Sequence, residues 1–434
     1  MPFCADTFNV SGGKKYSMKS RLAIHGGKPV IQAPRPHFRW PPSVPGLTAA
    51  LAEYVEAGGP LSIPGRDGIY AKLEDRLAAL HDRRYALLTS SGTMALYSAF
   101  FAIGLEPGDE VISTVYSFHA TATPLLHLGA LIHFCDVEPD TGNIDAGELA
   151  SLVTPRTRAV VTNHMWGHPV DVEAVAAICR RNRIAWVEDC SHAHFAQYRG
   201  RTVGKFGDVS VLSLQGNKLL TGGEGGVLLT DSREIYERAT LLGHSLKRSE
   251  ECVEDLRWRE IRRTGYGLKF RMHPLAAVMV DHLLEHHCFS WIQSRAKTLQ
   301  RFSDGLAATG KVLPMARRPY VTSMGAHYGF KPRLDFQAFG VSRETLVKAL
   351  QAEGLEVEIP GSPPFHRLPI FDPERFRIGG FQKKDHRGRS FPGAEAYTAS
   401  TLSLPTFTFP EDLPMVDAYV EAFHKVFHHI EELK

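Results

Sequence analysis

Six cysteines are scattered over 434 residues (Cys4, Cys135, Cys179, Cys190, Cys252 and Cys288). None has the close paired spacing of a zinc ribbon, and no disulfide framework is indicated. No apolar run approaches the roughly twenty residues that cross a bilayer, and the polar start MPFCADTFNVSGGKKYSMKS lacks the apolar centre of a signal peptide. Charge of one sign is equally scarce. The net charge is +3, and the most basic stretch, residues 247–271, is interleaved with five acids. It reads as a solvated face rather than a polyanion stripe, so neither nucleic acid nor a membrane is expected as a partner. These absences predict a cytoplasmic protein with a partly disordered N-terminal tail. Histidine is plentiful, at 21 residues. The pair His286–His287 and the tail HKVFHHIEELK nevertheless lack a third ligand at recognisable spacing, and no metal site is expected.

What is present is an ordinary globular composition, 43% hydrophobic and 22% charged, in a chain long enough for two domains around sizeable cores. Apolar segments at residues 85–88, 110–114, 131–135, 159–162, 184–187, 209–213 and 227–230 alternate with periodic helical stretches. That alternation predicts an α/β architecture with a mainly parallel sheet. Helices are expected from Thr93, where the pattern reads as amphipathic, and over 170–182, 274–285, 290–309, 342–353 and 414–427, with a short strand at 357–359. The Pro-, Gly- and Arg-rich residues 360–393 exceed an ordinary connection and point to an active-site or interface loop.

The most informative run is VSVLSLQGNKLLTGGEGGVLLT, residues 209–230. A strand ends on the hydroxyl of Ser213, a short polar loop carries Lys218, and a glycine cluster leads into the next strand. A lysine held in such packed surroundings loses part of its affinity for a proton and becomes a nucleophile for carbonyl groups, so a Schiff base is its natural use. In RIAWVEDCSHAHFA a second strand delivers Asp189 to its carboxyl end, where open α/β sheets bind ligands. Asp189 could equally cap a following helix, but that leaves Lys218 unexplained. A lysine for an aldehyde and an acid for a ring nitrogen are what pyridoxal phosphate requires. In RRYALLTSSGTMALYSAFFAIG the small residues Ser91, Gly92 and Thr93 lie between a strand and a helix, where exposed N–H groups and the helix dipole favour an anion. Read alone, that turn is equally a plain helix cap.

The blocks SSGTMAL, PGDEVISTVYSFHATATPLLHLGA, HMWGHPVD, VEDCSHAHFAQYRGRTVG, SLQGNKLLTGGEGG and GLKFRMHPLAA, in this order, resemble the DegT/DnrJ/EryC1/StrS family of pyridoxal-phosphate-dependent sugar aminotransferases. The resemblance covers nearly the whole chain. It implies fold type I, like aspartate aminotransferase, with an N-terminal arm (1–35), a large cofactor-binding domain with a mainly parallel sheet (36–290) and a smaller C-terminal α/β domain (291–434). It implies Lys218 as the lysine that bonds the cofactor and Asp189 as partner of its ring nitrogen. Gly92, Thr93, the Met94 backbone and Ser213 would hold the phosphate, Phe118 would stack on the ring and His192 would reach the ring hydroxyl. The resemblance also implies a homodimer with shared active sites, in which Lys269 and Arg271 are cofactor-binding residues whose segment reaches the phosphate in the neighbouring subunit. Lys269 stands where the family usually has asparagine, and EDCSH replaces EDAAQ.

The implied activity is amination of a keto sugar or keto-cyclitol with L-glutamate or L-glutamine as donor, in amino-sugar or aminocyclitol biosynthesis. His164 and His168, after the 159–162 strand, are either hydrogen-bonded loop residues or substrate contacts. His366, in PPFHRLPIF, is a further candidate contact by its likeness to the family's substrate-side segment. Two other readings belong to the same fold. Dehydratases of the family replace the lysine with histidine, which Lys218 opposes, while arylamine-forming relatives keep the lysine and dehydrate a cyclic ketone. A non-catalytic regulator built on the scaffold would be expected to have lost Lys218 or Asp189.

Overall fold

A computed structural model describes residues 7–9, 15–17, 20–376 and 378–434. The expectation of a partly disordered tail falls mainly outside these residues. Seven strands form the central sheet: β1 (Tyr85–Thr89), β2 (Glu110–Thr114), β3 (Leu131–Cys135), β4 (Thr157–Asn163), β5 (Ala185–Asp189), β6 (Val209–Ser213) and β7 (Gly226–Thr230). Their order is β1-β7-β6-β5-β4-β2-β3. Neighbours run parallel except β7, which is antiparallel to both β1 and β6. The strands read as near-continuous apolar runs because both faces are covered, and β2 and β7 are buried at every residue. The seven segments anticipated from the sequence are these seven strands, each within two residues at either end.

Helices α1 (Gly68–Leu80), α2 (Gly92–Ala102), α3 (Val172–Asn182), α4 (Arg233–Gly243) and α5 (Pro274–His286) pack around the sheet. α3 shows the amphipathic logic directly. Asp171 caps it by accepting from the Ala174 N–H at 3.1 Å, and Val172, Val175, Ile178 and Cys179 form its buried stripe. α2 departs from the expected amphipathic pattern. It is wedged between β6, β7 and α4, so Ala95, Leu96, Ser98, Ala99, Phe100 and Ala102 are buried around most of its circumference. A helix enclosed in this way has little need of a polar face.

A second core is built by α6 (Cys288–Ala307), α7 (Arg343–Ala352) and α8 (Leu413–His428), through Leu299, Phe302, Leu346, Leu350, Val416 and Phe423. Leu22 and Ile31 join it from the start of the chain. Glu353 fastens that segment by accepting from the Ala23 N–H (2.9 Å) and the Val30 N–H (3.1 Å) while Lys425 neutralises it at 2.8 Å. The short strand expected at 357–359 is reduced to a single bridge between Glu358 and Ser403, since Pro360 ends the run without an N–H to extend a ladder. Residues 360–393 form short turns whose Phe365, Phe371 and Phe391 pack into the core of the main sheet beside Phe134. No helix among the described residues is long and apolar enough to cross a membrane.

Candidate active site

The parallel strands direct their carboxyl ends toward one cavity of about 450 Å³. Asp189 is the last residue of β5, Ser213 the last of β6, and the head of α2 supplies Gly92 and Thr93. These four, with Phe118, His192 and Lys218, line that cavity. Seven of the residues expected from the sequence therefore converge, although they come from four separate chain segments.

Lys218 is carried by the loop between the antiparallel β6 and β7, closed by Leu214 N–H to Gly225 O (2.8 Å) and Gly222 N–H to Leu214 O (2.9 Å). Its side chain is only 6% exposed, and its Nζ sits 3.6 Å from the centre of the Tyr328 ring. Burial pushes the amine from its ordinary 10.5 down to about 7, against the opposing pull of the Asp189 carboxylate. A lysine in that range is substantially unprotonated near neutrality, the state that attacks an aldehyde. Asp189 is buried and held at both oxygens. Oδ2 accepts from the Thr121 hydroxyl at 2.8 Å and Oδ1 from the Ser191 N–H at 3.0 Å. Thr121 is itself bonded to Ser117 Oγ at 2.9 Å. The carboxylate is thus oriented into the cavity by neutral donors, which leaves its charge for a cation.

At the head of α2, Ser91 is the helix cap, accepting from the Met94 N–H at 3.1 Å. The Met94 backbone, expected to hold the phosphate, is therefore already engaged. The N–H groups of Gly92 and Thr93 have no carbonyl within the helix to bond, and they face the cavity end of the dipole. Gly92 is required by closeness: a Cβ there would lie 2.7 Å from Ser213 Cβ. His192 packs against both Trp166 (4.9 Å, 14°) and Tyr328 (4.4 Å, 21°), whose rings lie 6.0 Å from each other, so the three form one aromatic cluster. Its Nδ1 is buried without a partner among the described residues, and burial, followed by the charges of Lys218 and Lys331, keeps the imidazole neutral. Phe118 stands 55% exposed at the mouth. A free amine, an oriented carboxylate, a glycine-built anion cradle and an orphaned ring nitrogen fit pyridoxal phosphate, its aldehyde, ring nitrogen, phosphate and ring hydroxyl each finding a complementary group.

The three histidines offered as substrate contacts are not in this cavity. His164 is fully buried, its Nε2 paired with Glu188 at 3.1 Å and its Nδ1 accepting from the Val170 N–H at 3.1 Å. His168 is tied to Asn143, to Pro169 O at 2.8 Å and to the Arg318 N–H, and faces a separate small cavity. His366 packs on Phe391, while its neighbour Ser362 reaches the cavity. For His164 and His168 the structural alternative prevails because the chain turns inward after β4. His164, Glu188 and Cys190 bring ligand atoms within 4.8 Å of one another, yet Glu188 already accepts from three backbone N–H groups, of Gly204, Phe206 and Gly207, which leaves no open donor set. Lys269 is exposed and Arg271 half-buried, and neither lines the cavity of its own chain. The segment does pass the site, since the Ser90 N–H donates to Phe270 O at 2.6 Å. Sequence reasoning missed Thr121, although it lies in the quoted YSFHAT block, and missed Trp166 and Tyr328. Nothing local to Tyr328 signals its role, because it arrives from the far side of the chain.

Residues 62–412 match the model of the DegT/DnrJ/EryC1/StrS aminotransferase family. A protein of Micromonospora echinospora, provisionally named an L-glutamine:3-amino-2,3-dideoxy-scyllo-inosose aminotransferase, is 33% identical over 359 residues, 82% of this chain and 83% of that one. The L-glutamine:2-deoxy-scyllo-inosose aminotransferase of the same organism is 29% identical over 426 residues, covering 95% of this chain and 99% of its own. Among solved structures, an aminotransferase from Psychrobacter cryohalolentis superposes with a TM-score of 0.78 at 24% identity, over 91% of this chain and 100% of that one.

Proposed function

The chain belongs to the DegT/DnrJ/EryC1/StrS aminotransferase family, and from that premise we propose that it moves the amino group of L-glutamine or L-glutamate onto the ketone carbon of a keto-cyclitol or keto sugar. It is a pyridoxal-phosphate-dependent aminotransferase of fold type I. The observation that carries the substrate reading is the cavity itself: beyond the cofactor residues its lining includes the amide- and hydroxyl-bearing Asn163, Gln215, Asn217 and Ser362, beside the apolar Leu96 and Met165. Such groups suit a polyhydroxylated ring, and the scyllo-inosose names of the relatives support the same class.

When bound, pyridoxal phosphate supplies an aldehyde for an amine to condense with and a cationic ring that draws electrons from the adjoining carbon. Lys218 is the residue that would hold that aldehyde. Its freed Nζ, lowered to about 7, then removes the proton from the donor α-carbon and redelivers it, as general base and general acid. Asp189, fixed by Thr121 and Ser191, keeps the ring nitrogen protonated. Gly92, Thr93 and Ser213 bind the phosphate, and the neutral His192 Nδ1 meets the ring hydroxyl. In the second half the same lysine serves the ketone carbon.

A homodimer with shared sites belongs to this proposal. Leu246, Leu256, Tyr266 and Leu268 are large apolar residues left exposed in and beside residues 247–271, Leu256 by 76%. The same segment carries Lys269 and Arg271, and its exposed apolar residues support a partner surface. The division into an arm (1–35), a large domain (36–290) and a small domain (291–434) is likewise proposed, in keeping with the two cores. So is a cytoplasmic location, which the five free cysteines described support.

Mass spectrometry of the reaction with L-glutamine and 2-deoxy-scyllo-inosose tests the chemistry. A product in which the carbonyl has become an amine, with nothing else changed, is expected. Additional loss of water with new ultraviolet absorption would replace this reading with the arylamine-forming one.

A further inference from the structure

The Lys218 cavity continues into a groove that shares Trp166, Asn217 and Tyr328 with it and is walled beyond them by Trp40, Lys331 and Ser403. Along both, among the described residues, Lys331 is the one lysine or arginine besides Lys218. Its Nζ lies 4.8 Å from the centre of the Trp166 ring and donates to Ser403 Oγ. Glu356 and Glu358 also line the groove, but Lys331 makes an ion pair with neither, and burial, against the pull of Glu358, lowers its amine to about 8. A cation kept half-buried without a carboxylate partner is costly unless an anion joins it during use. A cyclitol ketone offers hydroxyls only, whereas an amino donor brings a carboxylate next to the carbon on which Lys218 acts.

We propose that Lys331 is the residue that receives the α-carboxylate of the amino donor, held over Trp166 and steered by Ser403. The inference rests on the aminotransferase reading and assigns a residue within it. The Trp166 ring beneath the amine and the Ser403 hydroxyl beside it direct Nζ along the groove, so the donor is gripped at one end while its amine reaches the cofactor aldehyde.

The test separates the two half-reactions of the holoenzyme, each followed by the change in cofactor absorbance. Lys331→Met keeps the apolar stem on Trp166 and removes the charge. The KM for L-glutamine should rise about 10- to 100-fold, the loss of one charge-assisted contact, with kcat nearly unchanged. Lys331→Arg should recover much of it, and the half-reaction with the keto-cyclitol should be unaffected. Wild type should prefer L-glutamine to its decarboxylated analogue 4-aminobutanamide, and Lys331→Met should largely lose that preference. A readout independent of turnover is acetylation of Lys331 by acetic anhydride, located by peptide mass spectrometry: L-glutamine should protect it and 4-aminobutanamide should not. An unchanged glutamine KM, a defect confined to the keto half-reaction, or no protection by L-glutamine would each overturn the assignment. A wild-type enzyme inert toward every amino donor would instead overturn the aminotransferase reading.

Discussion

Replacing Lys218 by Met should stabilise the cofactor-free protein. The native fold holds this amine at about 7 against an ordinary 10.5, so at neutral pH folding must take a proton-loving group into a site that disfavours its charge. Each pH unit of displacement corresponds to about 1.36 kcal/mol, which sets a ceiling near 5 kcal/mol, and relaxation with water entry brings the expected gain to about 2–5 kcal/mol. The sign follows from proton counting. Between about 7 and 10.5 the unfolded chain binds more protons at this residue than the folded one, so wild-type stability rises with pH across that window. The advantage of Lys218→Met is therefore largest at and below pH 7 and fades toward pH 10. Urea unfolding of the two apoproteins at equal chain concentration, in buffers from pH 6 to 10, measures it. A variant no more stable than wild type at pH 7, or a difference that does not shrink on raising the pH, would show that burial does not depress this lysine.

Thr121→Val removes the hydroxyl that Asp189 Oδ2 accepts at 2.8 Å. Cofactor affinity and the rate of proton transfer at the donor carbon should together lose about 10- to 100-fold, checked by cofactor titration and single-turnover kinetics. Gly92→Ala places a methyl 2.7 Å from Ser213 Cβ. Fluorescence titration should show weakened cofactor binding, and thermal melts a fall in apoprotein stability of about 1–3 kcal/mol. Mixing inactive Lys218→Ala chains with inactive Arg271→Ala chains should restore activity once subunits exchange. No recovery after exchange is confirmed by native mass spectrometry would remove Arg271 from a neighbour's site.

The strands and the residues that converge on the cavity were legible because local pattern and motif determine them. A doubly covered sheet needs apolar runs, and Lys218, Asp189 and Gly92 sit in short segments whose chemistry has few other uses. His164, His168 and His366 misled because a loop after a strand can face the cavity or the interior, and periodicity does not distinguish the two. His164 turns inward to satisfy Glu188, a pairing visible only once β4 and β5 are side by side. Tyr328 and Lys331 were invisible for the opposite reason. They follow no strand of the sheet and reach the site through packing of distant segments, as Ala326 N–H does when it donates to His194 O at 2.8 Å. The apolar circumference of α2 was misjudged because the burial of its outer face depends on α4, more than a hundred residues later.

The lone antiparallel strand bears on when the site can exist during synthesis. β1 pairs with β7 alone, so the strand that leads into the head of α2 has no place in the sheet until Thr230 has left the ribosome. At about 5–20 residues per second, the 137-residue separation of Thr89 from its partner Gly226 imposes a wait of roughly 7–30 s. Through that interval β2 to β6 can assemble in succession while residues 85–102 stay exposed, an apolar stretch dependent on a distant pairing. Completion of the cavity that the head of α2 lines is thereby a late event in the life of the nascent chain.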